Sequence, residues 1–265
     1  VDGSDLRVTF VNHATVLIQT AGLNILTDPI WSERCSPVSW AGPERVRPPG
    51  IRFEDLPPID VVLISHDHYD HMDLRTLRQL DEKFHPRFFT GLGNAAILKD
   101  GSIPGANELD WWQSTELTPG VRLTAVPAQH FSNRGLTDRN NTLWEGFVLE
   151  GPAGAVYFAG DTGYGPHFSE IHQRFGPIRL AMLPIGAYDP QWFMGGIHEN
   201  PSQAVQAQRD LGASTALAIH FGTFALADDG QDEPIQALRA ALRRAGPLQP
   251  RFWVLGFGEG RDVPW

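Results

Sequence analysis

Residues 65–71 read Ser-His-Asp-His-Tyr-Asp-His, three histidines and two aspartates within seven positions. They follow Ile59-Asp60-Val61-Val62-Leu63-Ile64, a short β-branched run behind Pro57-Pro58 that reads as a buried strand. A strand ending in this way puts several imidazoles and a carboxylate on one loop, which suits a borderline cation such as zinc. One loop cannot close a site for two cations. The chain must therefore fold so that further ligands reach the same strand end from distant positions.

Three more candidates stand at the ends of apolar runs. Val121 to Gln129 leads to His130, Ala155 to Gly160 leads to Asp161, and Thr215 to Ile219 leads to His220. Each has an ordinary reading when taken alone. His130 or His220 is then a partly buried imidazole, and Asp161, in Gly160-Asp161-Thr162-Gly163, a turn aspartate. Their shared position at strand ends, where a rigid scaffold can hold a ligand, groups them with residues 66–71. His13, in Asn12-His13-Ala14-Thr15, is open between lining this site and being a core histidine.

Periodicity supports an α/β or α+β chain. Strands are expected over residues 6–11, 15–20, 23–27, 87–90, 107–112, 121–127, 143–150, 155–159, 180–183, 215–219 and 252–255. Helices are expected over 74–84, 94–99, 167–175, 201–211 and 234–245; the first has Leu74, Leu77, Leu80 and Phe84 on one face and Asp73 as N-cap. Residues 28–58 form a long irregular segment rich in Pro and Gly, the kind that often carries function. Of eight tryptophans, Trp111, Trp112, Trp144 and Trp253 are expected in the core. Trp31, Trp40 and the Trp192-Phe193-Met194 cluster lie in loop-like context and suit an apolar substrate cleft or an interfacial contact.

A chain of 265 residues, 42% apolar, can bury a substantial core, and one domain over 1–265 is expected. The formal charge of −10 excludes a nucleic-acid partner held by a broad basic surface and disfavours docking on anionic membranes by bulk charge. A phosphate substrate stays open, because two divalent cations would dominate the local field. The single Cys35 excludes an internal disulfide. No apolar run reaches the ~20 residues of a membrane span, so the expectation is a soluble chain, in the cytoplasm or peripheral to a membrane. The start at Val1, without methionine, leaves a trimmed or processed N-terminus open.

The ordered set of His-x-His-x-Asp-His, a later histidine, Gly-Asp-Thr-Gly and a final strand-end histidine resembles the metallo-β-lactamase superfamily. Thr27-Asp28-Pro29-Ile30, Gly42-Pro43-Glu44-Arg45, Glu108-Leu109-Asp110-Trp111-Trp112, Pro184-Ile185-Gly186-Ala187-Tyr188, Trp192-Phe193-Met194 and His220-Phe221-Gly222-Thr223 are similar to its branch of N-acyl-phosphatidylethanolamine-hydrolysing phospholipases D. The resemblance runs from about Val8 to Gly258. It implies a four-layer αββα sandwich holding two divalent metal ions, zinc first, with iron or manganese as alternatives. It places His66, His68 and His130 on one ion, Asp70, His71 and His220 on the other, and Asp161 between them. Asp28 would orient a ligand histidine. Asp70, Asp161 and His198 would serve catalysis, His198 as a phosphate contact, and Tyr188 would join Trp31, Trp40, Trp192 and Phe193 in the cleft. Ile197 departs from the branch, which has a glutamine before this histidine, so head-group specificity is not carried over.

The implied reaction is hydrolysis of a phosphodiester by a bridging hydroxide that attacks phosphorus, releasing N-acylethanolamine from N-acyl-phosphatidylethanolamine. A lactonase or broad phosphoesterase of the ascorbate-6-phosphate lactonase-like branch is the alternative. A metal-binding protein without turnover is a third reading. Expected partners are a phospholipid or other phosphodiester substrate and a membrane surface touched peripherally; a homodimer is left open.

Overall fold

The computed structural model describes residues 5–246 and 249–265. Its strands form two sheets of seven. The first holds β1 (Leu6–Asn12), β2 (Thr15–Thr20), β3 (Leu23–Thr27), β4 (Val61–Ile64), β5 (Arg87–Gly91) and β6 (Asn107–Leu109) in sequence order. The second holds β7 (Ser114–Thr118), β8 (Val121–Val126), β9 (Gly146–Glu150), β10 (Ala155–Phe158), β11 (Ile178–Pro184), β12 (Thr215–Ile219) and β13 (Arg251–Trp253). β14 (Gly260–Asp262) crosses back and pairs with β1. In each sheet antiparallel pairings on one side give way to parallel ones on the other, from β3–β4 onward in the first and from β10–β11 onward in the second. β1 therefore runs with β3 and β4, and β8 with β10 and β12. Their carboxyl ends collect along one edge of each sheet.

Period-2 alternation explains the layers. In β4, Val61 and Leu63 point into a core shared with the second sheet, where they join Leu123, Phe147 and Tyr157. Val62 and Ile64 point the other way, into a cluster with Leu77 and Leu80 of α1 (Leu74–Phe84) and Leu98 of α2 (Asn94–Asp100). A strand buried on both faces reads as an unbroken apolar run. The second sheet is covered by α3 (His167–Phe175), α5 (Pro201–Asp210) and α6 (Glu233–Ala245), which bring Phe168, Ala204 and Leu238 to the main core. The short α4 (Gln191–Met194) stands apart, with no buried residue. The order helix, sheet, sheet, helix is the expected αββα sandwich. Helix starts follow local chemistry: Asp73 accepts from the Arg75 amide, and Asn200 and Gln203 form a reciprocal capping box around Pro201.

The differences from expectation lie at the margins. β7, β14 and α4 had no pattern to announce them, and β6, β9 and β13 are shorter than expected. Ser-Thr-Glu-Leu-Thr and Gly-Arg-Asp become edge strands only because β8 and β1 offer backbone groups to pair with. Among the expected core tryptophans only Trp253 is buried. Trp111, Trp112 and Trp144 are half-buried at the rim, because an indole N–H needs an acceptor. Trp111 Nε1 donates to the Trp144 carbonyl at 2.8 Å and Trp144 Nε1 to the Ala128 carbonyl at 3.0 Å, while Arg174 lies over the Trp112 ring.

Candidate metal centre

Several strand ends along the shared edge turn sharply inward. His13 after β1, Asp28 after β3, Gly160 after β10, Ala187 beyond β11 and His220 after β12 all have left-handed backbones, with φ of 48°, 33°, 61°, 59° and 60°. Four of these are not glycine, and such residues gather where a site dictates backbone direction. Gly160 has a further reason. A Cβ there would lie 2.6 Å from Cβ of Ser65, so only glycine lets this end of the second sheet meet the 65–71 loop of the first.

Three histidines form one half of the centre. His68 Nδ1 lies 2.9 Å from His66 Nε2 and 3.2 Å from His130 Nε2. The outer nitrogens are committed elsewhere. His66 Nδ1 is 2.8 Å from Ser65 Oγ, and His130 Nδ1 donates to the Ile197 carbonyl at 2.9 Å. A carbonyl only accepts, so His130 keeps its Nε2 lone pair turned inward. Burial pushes His66 and His130 well below the usual histidine range and lowers His68, so all three are neutral ligands in waiting.

The other half contains a carboxylate. Asp70 Oδ2 lies 3.2 Å from His71 Nε2 and 3.4 Å from His220 Nε2. Asp161 Oδ2 sits between the halves, 3.1 Å from His71 and His220 Nε2 and 3.9 Å from His66 and His130 Nε2. Asp28, fully buried, accepts His71 Nδ1–H at 2.6 Å and is itself held by the Ser65 amide and hydroxyl. Burial opposes charge on His71 and His220, but the aspartates together outweigh it, Asp161 first and then Asp70, with Asp28 also raising His71. His71 is held well above the usual range and His220 is pushed up to about 9. Burial likewise opposes ionisation of Asp161, yet His220 and His71 hold its carboxyl well below the carboxylate range.

These donors fit metal coordination. Imidazole lone pairs aimed at one another repel unless a proton or a cation lies among them. Asp161 Oδ1 is buried with no hydrogen-bond partner, which is costly unless another group takes up that contact. Four imidazole nitrogens, of His66, His71, His130 and His220, thus lie within 3.9 Å of one Asp161 oxygen, with Asp70 beside two of them.

The profile of the β-lactamase superfamily domain matches residues 23–221. The chain belongs to that superfamily. An uncharacterised protein of Mycobacterium tuberculosis is 42% identical over 245 residues, which cover 91% of this chain and 65% of the relative. N-acyl-phosphatidylethanolamine-hydrolyzing phospholipase D 1 of Caenorhabditis elegans is 40% identical over 232 residues, 83% of this chain and 65% of the relative. The matched region thus spans just under two thirds of those relatives. The isothiocyanate hydrolase from Delia radicum gut bacteria shares the fold, with a TM-score of 0.77 at 21% identity over 96% of this chain and 98% of that one. The metallo-β-lactamase fold therefore rests on both sequence and shape.

In this member of the superfamily, His198 lies against the centre, its ring 5.0 Å from that of His130 and 5.4 Å from that of His220. Burial lowers it to about 4, and its Nδ1 has no partner. Ile197 acts here through its carbonyl, on His130, so the aliphatic side chain does not weaken that link. Tyr188 is buried beside Asp229, which accepts its backbone N–H. Trp40, Trp192 and Phe193 are exposed, at 80%, 86% and 64%, the last two in edge contact with each other. Trp31 differs from these. Its Nε1 donates to the Ile51 carbonyl and its ring meets Phe53 edge-on, on the helix-covered face of the first sheet, so it packs as part of the scaffold and not as a free cleft wall.

Sequence reasoning gave no role to Asp67 or Phe131 and left His13 open. Asp67 accepts from the Asn133 amide and the Thr142 hydroxyl, tying residues 131–142 to the ligand loop. Phe131 packs against both His68 and His130. His13 is buried, with Nε2 2.9 Å from Asp70 Oδ2. Its signal was present: it caps a strand as His130, Asp161 and His220 do. Among the described residues no helix is long and apolar enough to cross a membrane.

Proposed function

We propose that this chain is a metal-dependent hydrolase that carries two divalent cations, zinc first, and cleaves phosphodiesters in the manner of a phospholipase D. The observation that carries the reading is the sharing of Asp161 Oδ2 between two clusters of inward-facing ligand atoms. His66, His68 and His130 would hold one cation, Asp70, His71 and His220 the other, and Asp161 both. When bound, such a pair acidifies water toward neutral pKa and withdraws charge from a phosphoryl oxygen.

The chain's own groups then have defined tasks. Asp28 keeps the proton of His71 on Nδ1, and the Ile197 carbonyl keeps that of His130 on Nδ1, so each presents a lone pair at Nε2. His198, neutral at pH 7, is a hydrogen-bond donor for a phosphate oxygen beside the cluster. The buried setting excludes bulk water and strengthens these contacts. The substrate we favour is an N-acyl-phosphatidylethanolamine, a reading supported by the 40% identity to the worm enzyme of that name. The exposed Trp192 and Phe193 suit contact with a lipid surface, on which a chain of net charge −10 cannot rely on basic residues.

The test is hydrolysis of N-acyl-phosphatidylethanolamine in mixed micelles by protein loaded with zinc, with a soluble phosphodiester and a lactone in parallel and a chelator control. Release of N-acylethanolamine and phosphatidic acid, abolished by chelation, is the expected result. Turnover of the lactone alone would replace the phosphodiester reading. No turnover of any substrate, with two equivalents of metal bound, would leave a binding protein.

A further inference from the structure

We infer that His13 is a positioning residue for the aspartate half of the metal centre, joining its ligands from the two sheets and orienting Asp70. The inference deepens the two-cation reading and rests on it. Three contacts converge on this one residue. Its side chain meets Asp70, on the loop after β4, at 2.9 Å from Nε2 to Oδ2. Its carbonyl accepts the backbone N–H of His220, at the end of β12 in the other sheet, at 2.8 Å. Its own N–H donates to the hydroxyl of Thr223, three residues beyond His220, at 3.0 Å. The left-handed φ of 48° brings all three groups inward at once, and the ring fills the space between His71, His220 and Phe224.

The chemistry separates positioning from ligation. An ionised Asp70 can only accept, so the proton of His13 sits on Nε2 and that nitrogen has no lone pair for a cation. Nδ1 has its lone pair but no polar partner. His13 therefore does for Asp70 what Asp28 does for His71: it occupies one side of the ligand with a hydrogen bond and leaves the other to the cation. Loss of such a contact generally costs 10–100-fold in metal affinity. The three-histidine half has no contact with His13 and should be spared.

Three variants test this, with zinc binding by the purified full chain as the readout. His13→Phe keeps ring volume without a donor, His13→Gln keeps a donor at a comparable reach, and His13→Ala removes both. The parent should bind two equivalents. His13→Phe and His13→Ala should weaken one of them by roughly 10–100-fold and leave the other unchanged, and His13→Gln should recover much of the loss. Melting of the metal-free proteins by circular dichroism separates this from unfolding: His13→Phe should melt near the parent. Two equivalents bound as tightly in His13→Phe as in the parent would overturn the positioning role alone. Loss that His13→Gln fails to restore, with the fold intact, would also overturn it and point to direct ligation. A parent that binds a single equivalent would overturn both this inference and the two-cation reading.

Discussion

The two halves of the centre use similar side chains under opposite electrostatics. His66, His68 and His130 meet mainly one another, and burial holds them neutral with lone pairs ready. His71 and His220 meet Asp70 and Asp161 and hold their protons against burial, His220 up to about 9. On the proposed two-cation reading, a cation entering the first half would displace no proton, whereas one entering the second would have to displace those held beside the carboxylates. Ligand type alone would suggest equal sites; the placement of the aspartates makes them unequal.

The strongest challenge to that comparison is Asp161→Asn. The amide is isosteric but neutral, so both halves lose a shared anion while the packing persists. Turnover of a soluble phosphodiester should fall by about 10²–10³-fold, and zinc stoichiometry should drop toward one. Near-parental turnover would mean that Asp161 does not serve both halves. Asp28→Asn acts on one half only. It removes the acceptor that fixes the His71 tautomer, so the second equivalent of zinc should weaken by about 10–100-fold while the first is unaffected. Equal weakening of both would show that the halves are not independent.

Proton release sharpens the same contrast. In the metal-free chain His71 and His220 are protonated at pH 7, because their pKa values are raised. Zinc binding to the aspartate half should therefore strengthen as pH rises from 6 toward about 9, where His220 gives up its proton. Binding to the three-histidine half, whose pKa values are lowered, should be flat across that range. Calorimetry in buffers of different ionisation enthalpy should show release of roughly one or two protons with one equivalent and none with the other. Equal release from both would contradict the assigned asymmetry.

The smallest effect concerns the segment over the three-histidine half. Trp192 and Phe193 project outward, and the link from this segment to His130 runs through the Ile197 carbonyl. Replacing both aromatics by Ala should leave zinc affinity unchanged and spare a soluble phosphodiester, while raising KM for a long-chain lipid by a few-fold, on the order of 1 kcal/mol of lost apolar contact. Equal loss on both substrates would show that the aromatics support the fold instead.

Much of this was legible in the sequence where local physics suffices. β4 and β12 are short apolar runs that read as buried strands, and α1 announces itself by its spacing and the Asp73 cap. The crowding of donors at 66–71 pointed to a cation site once the strand-end His130, Asp161 and His220 were set beside it. Pairing across the chain lies beyond such reading. Asp28 reaches Ser65 and His71, His13 reaches Asp70 and His220, and Ile197 reaches His130 only after two sheets align their strand ends along one edge. Backbone carbonyls carry no residue label, so the Ile197 contact had no sequence signal. Trp31 and Trp192 look alike in a loop-rich context, yet one packs against Phe53 and the other faces solvent. Residue chemistry and spacing determined which side chains this protein could offer a metal. The tertiary structure decided which nitrogen each turns inward and how charge divides the two halves, because proton positions depend on neighbours 43 to 67 residues away in the chain.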